Sequence, residues 1–223
     1  MRTRRMRTPF LEEKEMVRLI PLRGYFDVNA YFYIDDATGH GFLIDPGAQP
    51  DKVMSVIRRN GWTVEKILLT HGHFDHMGAA DQLRQELGAE IYAFDKTGKM
   101  LKDAHTNLSA LCGPAITIDG AMSLADGEAI SLASNPSFCL KVMHTPGHTP
   151  DSVTFYSERD GVAFVGDTIF KAGIGSWGYP GGNKTDLINS ITERIFALPD
   201  ETVLCSGHSE QTTIGTEKRR YSL

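Results

Sequence analysis

"LLTHGHFDHMGAA", residues 68–80, places three histidines and an aspartate within the six positions 71–76 of a chain of 223 residues that has only eight histidines. Imidazole and carboxylate are the usual ligands of zinc and similar borderline metals. His71 and His73, two apart in an extended turn, face one point. Asp75 and His76 open the following helix, and the turning backbone aims them at a second point nearby. The run is too dense for loop-capping histidines, and its reading decides the fold.

Working outward, the cluster follows the buried strand "KILLT" and precedes the helix "MGAADQLRQELG", closed by Gly88. Upstream, "AYFYID" and "GFLID" form a hairpin through the turn-rich "DATGH". "PDKVMSVIRRNG" carries Val53, Val56 and Ile57 at helical spacing, with Asp51 as N-cap and Gly61 just past the end. "EIYAF" is the next strand, and residues 99–114 are less regular. Later, "FCLKVMHT", "SVTFYS", "VAFVGDT" and "TVLCSGH" read as short strands. "TDLINSITERIFAL" reads as an amphipathic helix with Leu187, Ile188, Ile191 and Ile195 on one face. Two groups of strands with helices between and outside them imply two sheets packed face to face and covered by helices.

The later strands end in the same residue types. "LKVMHTPG" leads to His148, "VAFVG" to Asp167 and "TVLCSG" to His208. Loops at strand ends are where a rigid scaffold presents side chains to a common point. A lone His148 or His208 would be a loop-capping histidine, the class in which His40, His105 and His144 stay. Joined to the dense run, the set is five histidines and two aspartates, too many for one tetrahedral ion and suited to two ions sharing Asp167.

Composition removes several classes. The net charge of −5 and the lack of a basic stripe argue against a nucleic-acid surface. No apolar run reaches the length of a membrane span. "MRTRRMR" is followed by charged residues rather than an apolar core, so residues 1–15 are expected to be a disordered basic tail and not a signal peptide, with folding beginning near Met16. The length fits a single domain over 1–223. The three cysteines show no CxxC spacing, which fits a reducing cytoplasm. Cys139 and Cys205, in apolar strand-like segments, are expected to be small core residues.

"THGHFDH" resembles the T-H-x-H-x-D-H motif of the metallo-β-lactamase superfamily. "LIDPG", "HTPGHTPDS", "VGDTIF" and "SGH" resemble its other motifs in order, from about Asn29 to Lys218. The resemblance implies an αββα sandwich, two mixed sheets flanked by helices, with metals at the sheet edge. Within the superfamily, "TPGHTPDSVTFY", "NLSALCG" and "EQTTIGTEKR" resemble the glyoxalase II-like hydrolases of hydroxyacyl-glutathione thioesters. That likeness implies one divalent ion, zinc or else iron or manganese, on His71, His73 and His148, and another on Asp75, His76 and His208. Asp167 would bridge them and Asp45 would hold a histidine or the loop behind the ligands. A hydroxide between the ions would attack a small-molecule thioester, and Asp75 would orient or relay the proton.

The loop "TIFKAGIGSWGYPGGNKTD" departs from the pattern. Where glyoxalase II enzymes carry a lysine or arginine this chain has Ser176, then Trp177 and Tyr179, and it stops at Leu223 before the helical domain that completes their glutathione site. Lys171 or Lys184 would have to supply the missing charge, while Trp177 and Tyr179 either wall an apolar acyl pocket or pack the loop. The rival reading on the same fold is a persulfide dioxygenase with a single iron; the absent loop arginine argues for the hydrolase. A lactonase, β-lactamase or nuclease fits less well, and a metal-holding sensor would have no use for the intact motifs.

Overall fold

A computed structural model describes residues 16–94 and 98–221; the expected basic tail, 1–15, lies outside the described residues. The first sheet holds β1 (Val17–Arg23), β2 (Asp27–Asp35), β3 (His40–Ile44), β4 (Thr63–Leu68), β5 (Glu90–Ala93) and β6 (Met122–Ser123), side by side in chain order. β1, β2 and β3 pair antiparallel, and β3 to β6 run parallel. The second sheet contains β7 (Ala129–Ser131), β8 (Cys139–His144), β9 (Val153–Ser157) and β10 (Val162–Gly166). After the small hairpin β11 (Ile169–Phe170) and β12 (Gly173–Ile174), it is completed by β13 (Val203–Ser206) and β14 (Thr212–Thr213), in the order β14-β13-β10-β9-β8-β7.

Period-2 side-chain alternation builds the sandwich. On β2, Tyr31 and Tyr33 point to the second sheet and pack with Phe138, Phe155 and Phe164, while Ala30, Phe32 and Ile34 point outward to the helices. The outer face of the first sheet is covered by α1 (Pro50–Asn60) and α3 (Ala80–Leu87) through Val53, Ile57 and Leu83. The outer face of the second is covered by α6 (Lys184–Asn189), the π-turn segment Ser190–Ile195 that continues it, and α7 (Ile214–Tyr221). Three one-turn helices serve the loops: α2 (Phe74–Met77), α4 (Lys99–Lys102) and α5 (Ser109–Cys112). This is the expected αββα arrangement; inner strands such as β3, β9, β10 and β13, covered on both faces, read as near-continuous apolar runs, while β1 and β8 alternate. Among the described residues no helix is long and apolar enough to cross a membrane.

Four local expectations are corrected. Asp51 does not cap α1: Pro50 takes the first helical position, the residue before it is Gln49 at φ 51°, and Asp51 lies inside the first turn, where its charge favours the helix dipole. The helix after the cluster starts at Ala80, because Gly78 and Ala79 separate it from α2. Ile188 is 39% exposed; the switch to π-turns at Ser190 keeps Leu187, Ile191 and Ile195, each four apart, on the buried face and leaves Ile188 beside it. Cys139 is exposed, whereas Cys205 is buried as expected.

Candidate metal centre

All seven ligand-type side chains gather where strands of both sheets end. The chain leaves β4, and Thr70 joins the sheets by accepting at its carbonyl from Val153 N at 2.8 Å. His73 then enters α2 in an extended conformation (φ −67°, ψ 143°), so Asp75 and His76 fall in its single turn. His148 stands in the loop between β8 and β9. That loop is fixed from the helical side, where Ser190 Oγ donates to Pro146 O (2.7 Å) and Asn183 N to Gly147 O (2.8 Å). Asp167 follows β10 at Gly166 (φ 51°), and His208 follows β13.

The first group brings His71 Nε2 to 3.2 Å and His148 Nε2 to 3.0 Å from His73 Nδ1. A tetrahedral ion with bonds of about 2.0–2.1 Å has donor–donor edges of about 3.3 Å, so the spacing is that of a coordination triangle. In the second group His208 Nε2 lies 3.3 Å from His76 Nε2 and 3.2 Å from Asp75 Oδ2. Asp167 reaches into both: it is 3.4 Å from His76, 3.3 Å from His208 and 3.7 Å from His148. Three sets of donor atoms lie mutually within 4.8 Å: His71, His73, His148; His71, His76, Asp167; and Asp75, His76, His208.

Partners behind the rings fix which nitrogen faces inward. His76 Nδ1 donates to Asp45 Oδ2 (2.9 Å), His148 Nδ1 to Ser176 O (2.6 Å) and His208 Nδ1 to Asp27 O (2.7 Å). Thr70 Oγ1 gives its proton to Asp45 Oδ2 at 2.6 Å, so it accepts from His71 Nδ1 at 3.2 Å. Each of these four histidines therefore turns Nε2 to the centre, on His71 and His148 as a lone pair and on His76 and His208 as the atom that a metal would deprotonate. In the first group lone pairs this close repel one another unless a cation lies between them, and in the second the carboxylates of Asp75 and Asp167 gather positive charge at His76 and His208, so both sets fit metal on the protein's own geometry.

Asp45 (φ 51°), which the resemblance placed behind the ligands, also accepts from Thr70 N at 2.8 Å. The field of the cluster divides in two. Burial, then the neighbouring imidazoles, hold His71 well below its ordinary value and push His73 down to about 3. Burial also lowers His148, against the pull of Asp167. Burial opposes charge on His76 and His208 too, yet the carboxylates around them prevail, Asp167 first: His76 is held well above its ordinary value and His208 rises to about 10. Asp167 and Asp75, against burial, are held below the ordinary carboxylate range by His76 and His208. The carboxylate surplus that holds protons on His76 and His208 is the surplus that attracts a metal cation to the same place.

A cleft of about 260 Å³ opens over the cluster, with His73, Asp75, His148, Asp167 and His208 on its floor. Its walls are Phe26, Leu108, Phe170, Ser176 and Tyr179. The structure separates the two loop aromatics: Tyr179 lines the cleft, whereas Trp177 does not and lies under Lys184 Nζ, 5.1 Å from its ring centre. Lys171 pairs with Glu210, outside the lining. The sequence reading did not find Phe26, Leu108 or Phe170. The aromatic pair in the turn "RGYFD" was the available signal for Phe26; Leu108 (φ 71°) lies in the stretch "NLSALCG", which was read for its resemblance and not as a cleft wall. His144 stacks on Phe94 with centroids 4.3 Å apart, His40 meets Glu65 at 2.8 Å, and His105 is exposed, all away from the centre.

A family model for the metallo-β-lactamase superfamily matches residues 23–208. The chain belongs to that superfamily. It is 34% identical over 206 residues to a hydroxyacylglutathione hydrolase of Haemophilus influenzae, covering 91% of this chain and 95% of that one. The crystal structure of BLEG-1, a B3 metallo-β-lactamase, superposes with a TM-score of 0.85 at 37% identity, over 92% of this chain and 97% of that one. TTHA1623, solved in a di-iron-bound form, superposes with a TM-score of 0.79 at 31% identity, over 91% and 98%. Membership places the chain among the metallo-hydrolases. The relatives carry different substrates and metals in their names.

Proposed function

We propose that this metallo-hydrolase cleaves thioesters with two divalent ions, zinc in the first instance. His71, His73 and His148 would hold one, and Asp75, His76 and His208 the other, with Asp167 shared. The observation that carries the reading is the convergence of imidazole nitrogens and carboxylate oxygens in two adjoining groups beneath an open cleft. Divalent ions held there supply a water that ionises near neutral pH and Lewis-acid polarisation of a carbonyl. The chain's own residues do the rest. The cleft walls place the acyl carbon over the floor and exclude bulk water from one side. Asp75, its side chain 11% exposed and 3.2 Å from His208, is the group placed to accept and return a proton. A thiolate leaves without a strong general acid, which agrees with a cleft that offers no acid other than the donor groups and the Tyr179 hydroxyl. The similarity to a hydroxyacylglutathione hydrolase supports the reaction class; the similarity to a B3 metallo-β-lactamase favours β-lactam opening as a second reading.

The test is elemental analysis of protein purified without chelator, followed by parallel assay of thioesters, lactones and a chromogenic β-lactam. Two ions per chain with thiol release is the expected result. A single iron with oxygen uptake on a persulfide would replace the hydrolase with a dioxygenase. Full metal content with no turnover of any of these would leave a metal-binding protein that is not this enzyme.

A further inference from the structure

We infer that the cleft chooses its thioester by an uncharged, apolar acyl group and has no recognition of the charges on a glutathione-like thiol. The inference deepens the hydrolase reading and rests on it. Aromatic rings stand beside both donor groups. Tyr179 packs edge-on at 5.5 Å from His73 and 6.0 Å from His148, and Phe170 at 6.4 Å from His208. Phe26, 46% exposed, is held over the cleft by Tyr25 and Phe74 at 5.0 and 6.0 Å. Exposed rings grouped around a concave site mark a ligand surface rather than a spare piece of core.

What the walls lack is equally specific. Beyond the donor groups, only Ser176 and Tyr179 bring polar side chains to the lining. The Ser176 carbonyl is taken by His148 Nδ1, and its hydroxyl accepts from Gly178 N at 3.3 Å. Among the described residues no lysine or arginine lines the cleft. Lys171 is committed to Glu210 and Lys184 lies over Trp177. The carboxylates of a tripeptide thiol would stay in water, where solvent-exposed charge pairing adds little affinity. An acyl chain laid between Phe26, Phe170 and Tyr179 leaves water as it binds. At about 260 Å³ the space lies just under the usual range for small-molecule sites, which suits a compact acyl group and not an extended conjugate.

Two thioethers that resist hydrolysis test this by calorimetry on the metal-containing protein: S-benzyl-N-acetylcysteamine and S-benzylglutathione, each with its benzyl group in place of the acyl group. The expected dissociation constants agree within about threefold. Phe26→Ala and Tyr179→Ala should each weaken both probes about tenfold at unchanged metal content, while Lys184→Ala leaves both as they were. A glutathione conjugate bound tenfold tighter, aromatic variants without effect, or failure of both probes to bind would each overturn the inference. Because neither probe is turned over, the binding result stands apart from the hydrolase reading, which falls if thioesters go uncleaved or a single iron consumes oxygen on a persulfide.

Discussion

At the scale of single residues, the centre depends on atoms that never face it. Asp45 accepts hydrogen bonds from Thr70 N, Thr70 Oγ1 and His76 Nδ1, and so sets the direction of two rings at once. In Asp45→Asn one of the two acceptor oxygens becomes an NH2 group, which opposes the Thr70 N–H if it takes the place of Oδ1 and the His76 N–H if it takes that of Oδ2. Groups of this kind are worth about 10–100-fold in metal affinity, and competition against a chromophoric chelator should show a loss of that size with the secondary structure intact. Retained affinity would mean that packing alone orients His76. Gly207 makes a steric case. A Cβ built there would lie 2.4 Å from Asp167 Oδ1 and 2.5 Å from His76 Cε1. Gly207→Ala should therefore cost the second group its ion before the first, read as a fall from two ions toward one per chain. Two ions still bound would show that the loop yields without disturbing Asp167.

At the scale of elements, Glu65 on β4 clamps the sheets at the end away from the metal centre. Its carboxylate accepts from Ala133 N (2.6 Å) and Ser134 N (3.1 Å), both from the turn between β7 and β8, and meets His40 Nδ1 at 2.8 Å. Burial would raise this carboxyl, but the hydrogen bonds from Ser134, Ala133 and His40 outweigh it and bring it down to about 2. A depressed carboxyl stabilises the fold above its unfolded value near 4.5 and loses that contribution as pH falls toward 2. Discounted for the solvent that reaches it, the contribution at neutral pH is about 2 kcal/mol. Denaturant unfolding of Glu65→Gln should show that deficit at pH 7 and convergence with the parent chain near pH 2. A constant gap across the range would assign the effect to packing instead.

The same scale shows what was legible in the sequence. The hairpin, the alternation of strand and helix after it, and the histidines and aspartates at strand ends were readable because each is written in local spacing. Cys139 misled because its segment is apolar on average; the alternation of β8, with Leu140 and Val142 buried and Lys141 exposed beside it, is the finer signal, and it puts Cys139 with Lys141. The π-turn at Ser190 has no residue signature and answers to the packing of Leu187, Ile191 and Ile195. Phe26, Leu108 and Phe170 meet only in the folded chain, so no periodicity could bring them together.

For the molecule as a whole, the donors are divided between the two halves of the sandwich. His71, His73, Asp75 and His76 come from the first sheet, and His148, Asp167 and His208 from the second. Ions that bind only this assembled set stabilise the native state by mass action, about 4 kcal/mol at a thousandfold excess over Kd. Chelation should lower the melting temperature by on the order of 10 °C for a domain of this size, with recovery on adding zinc back. An unchanged transition would mean that the sheets hold the donors in place unaided. The division also orders events during synthesis. His76 leaves the ribosome 132 residues before its neighbour His208, so a nascent chain displays four donors long before it can complete either group. The first group is complete once His148 and Asp167 have emerged, whereas the second waits for His208 behind β13, so on the proposed reading the two ions enter in order and the second reports the metals at hand when the chain finishes folding.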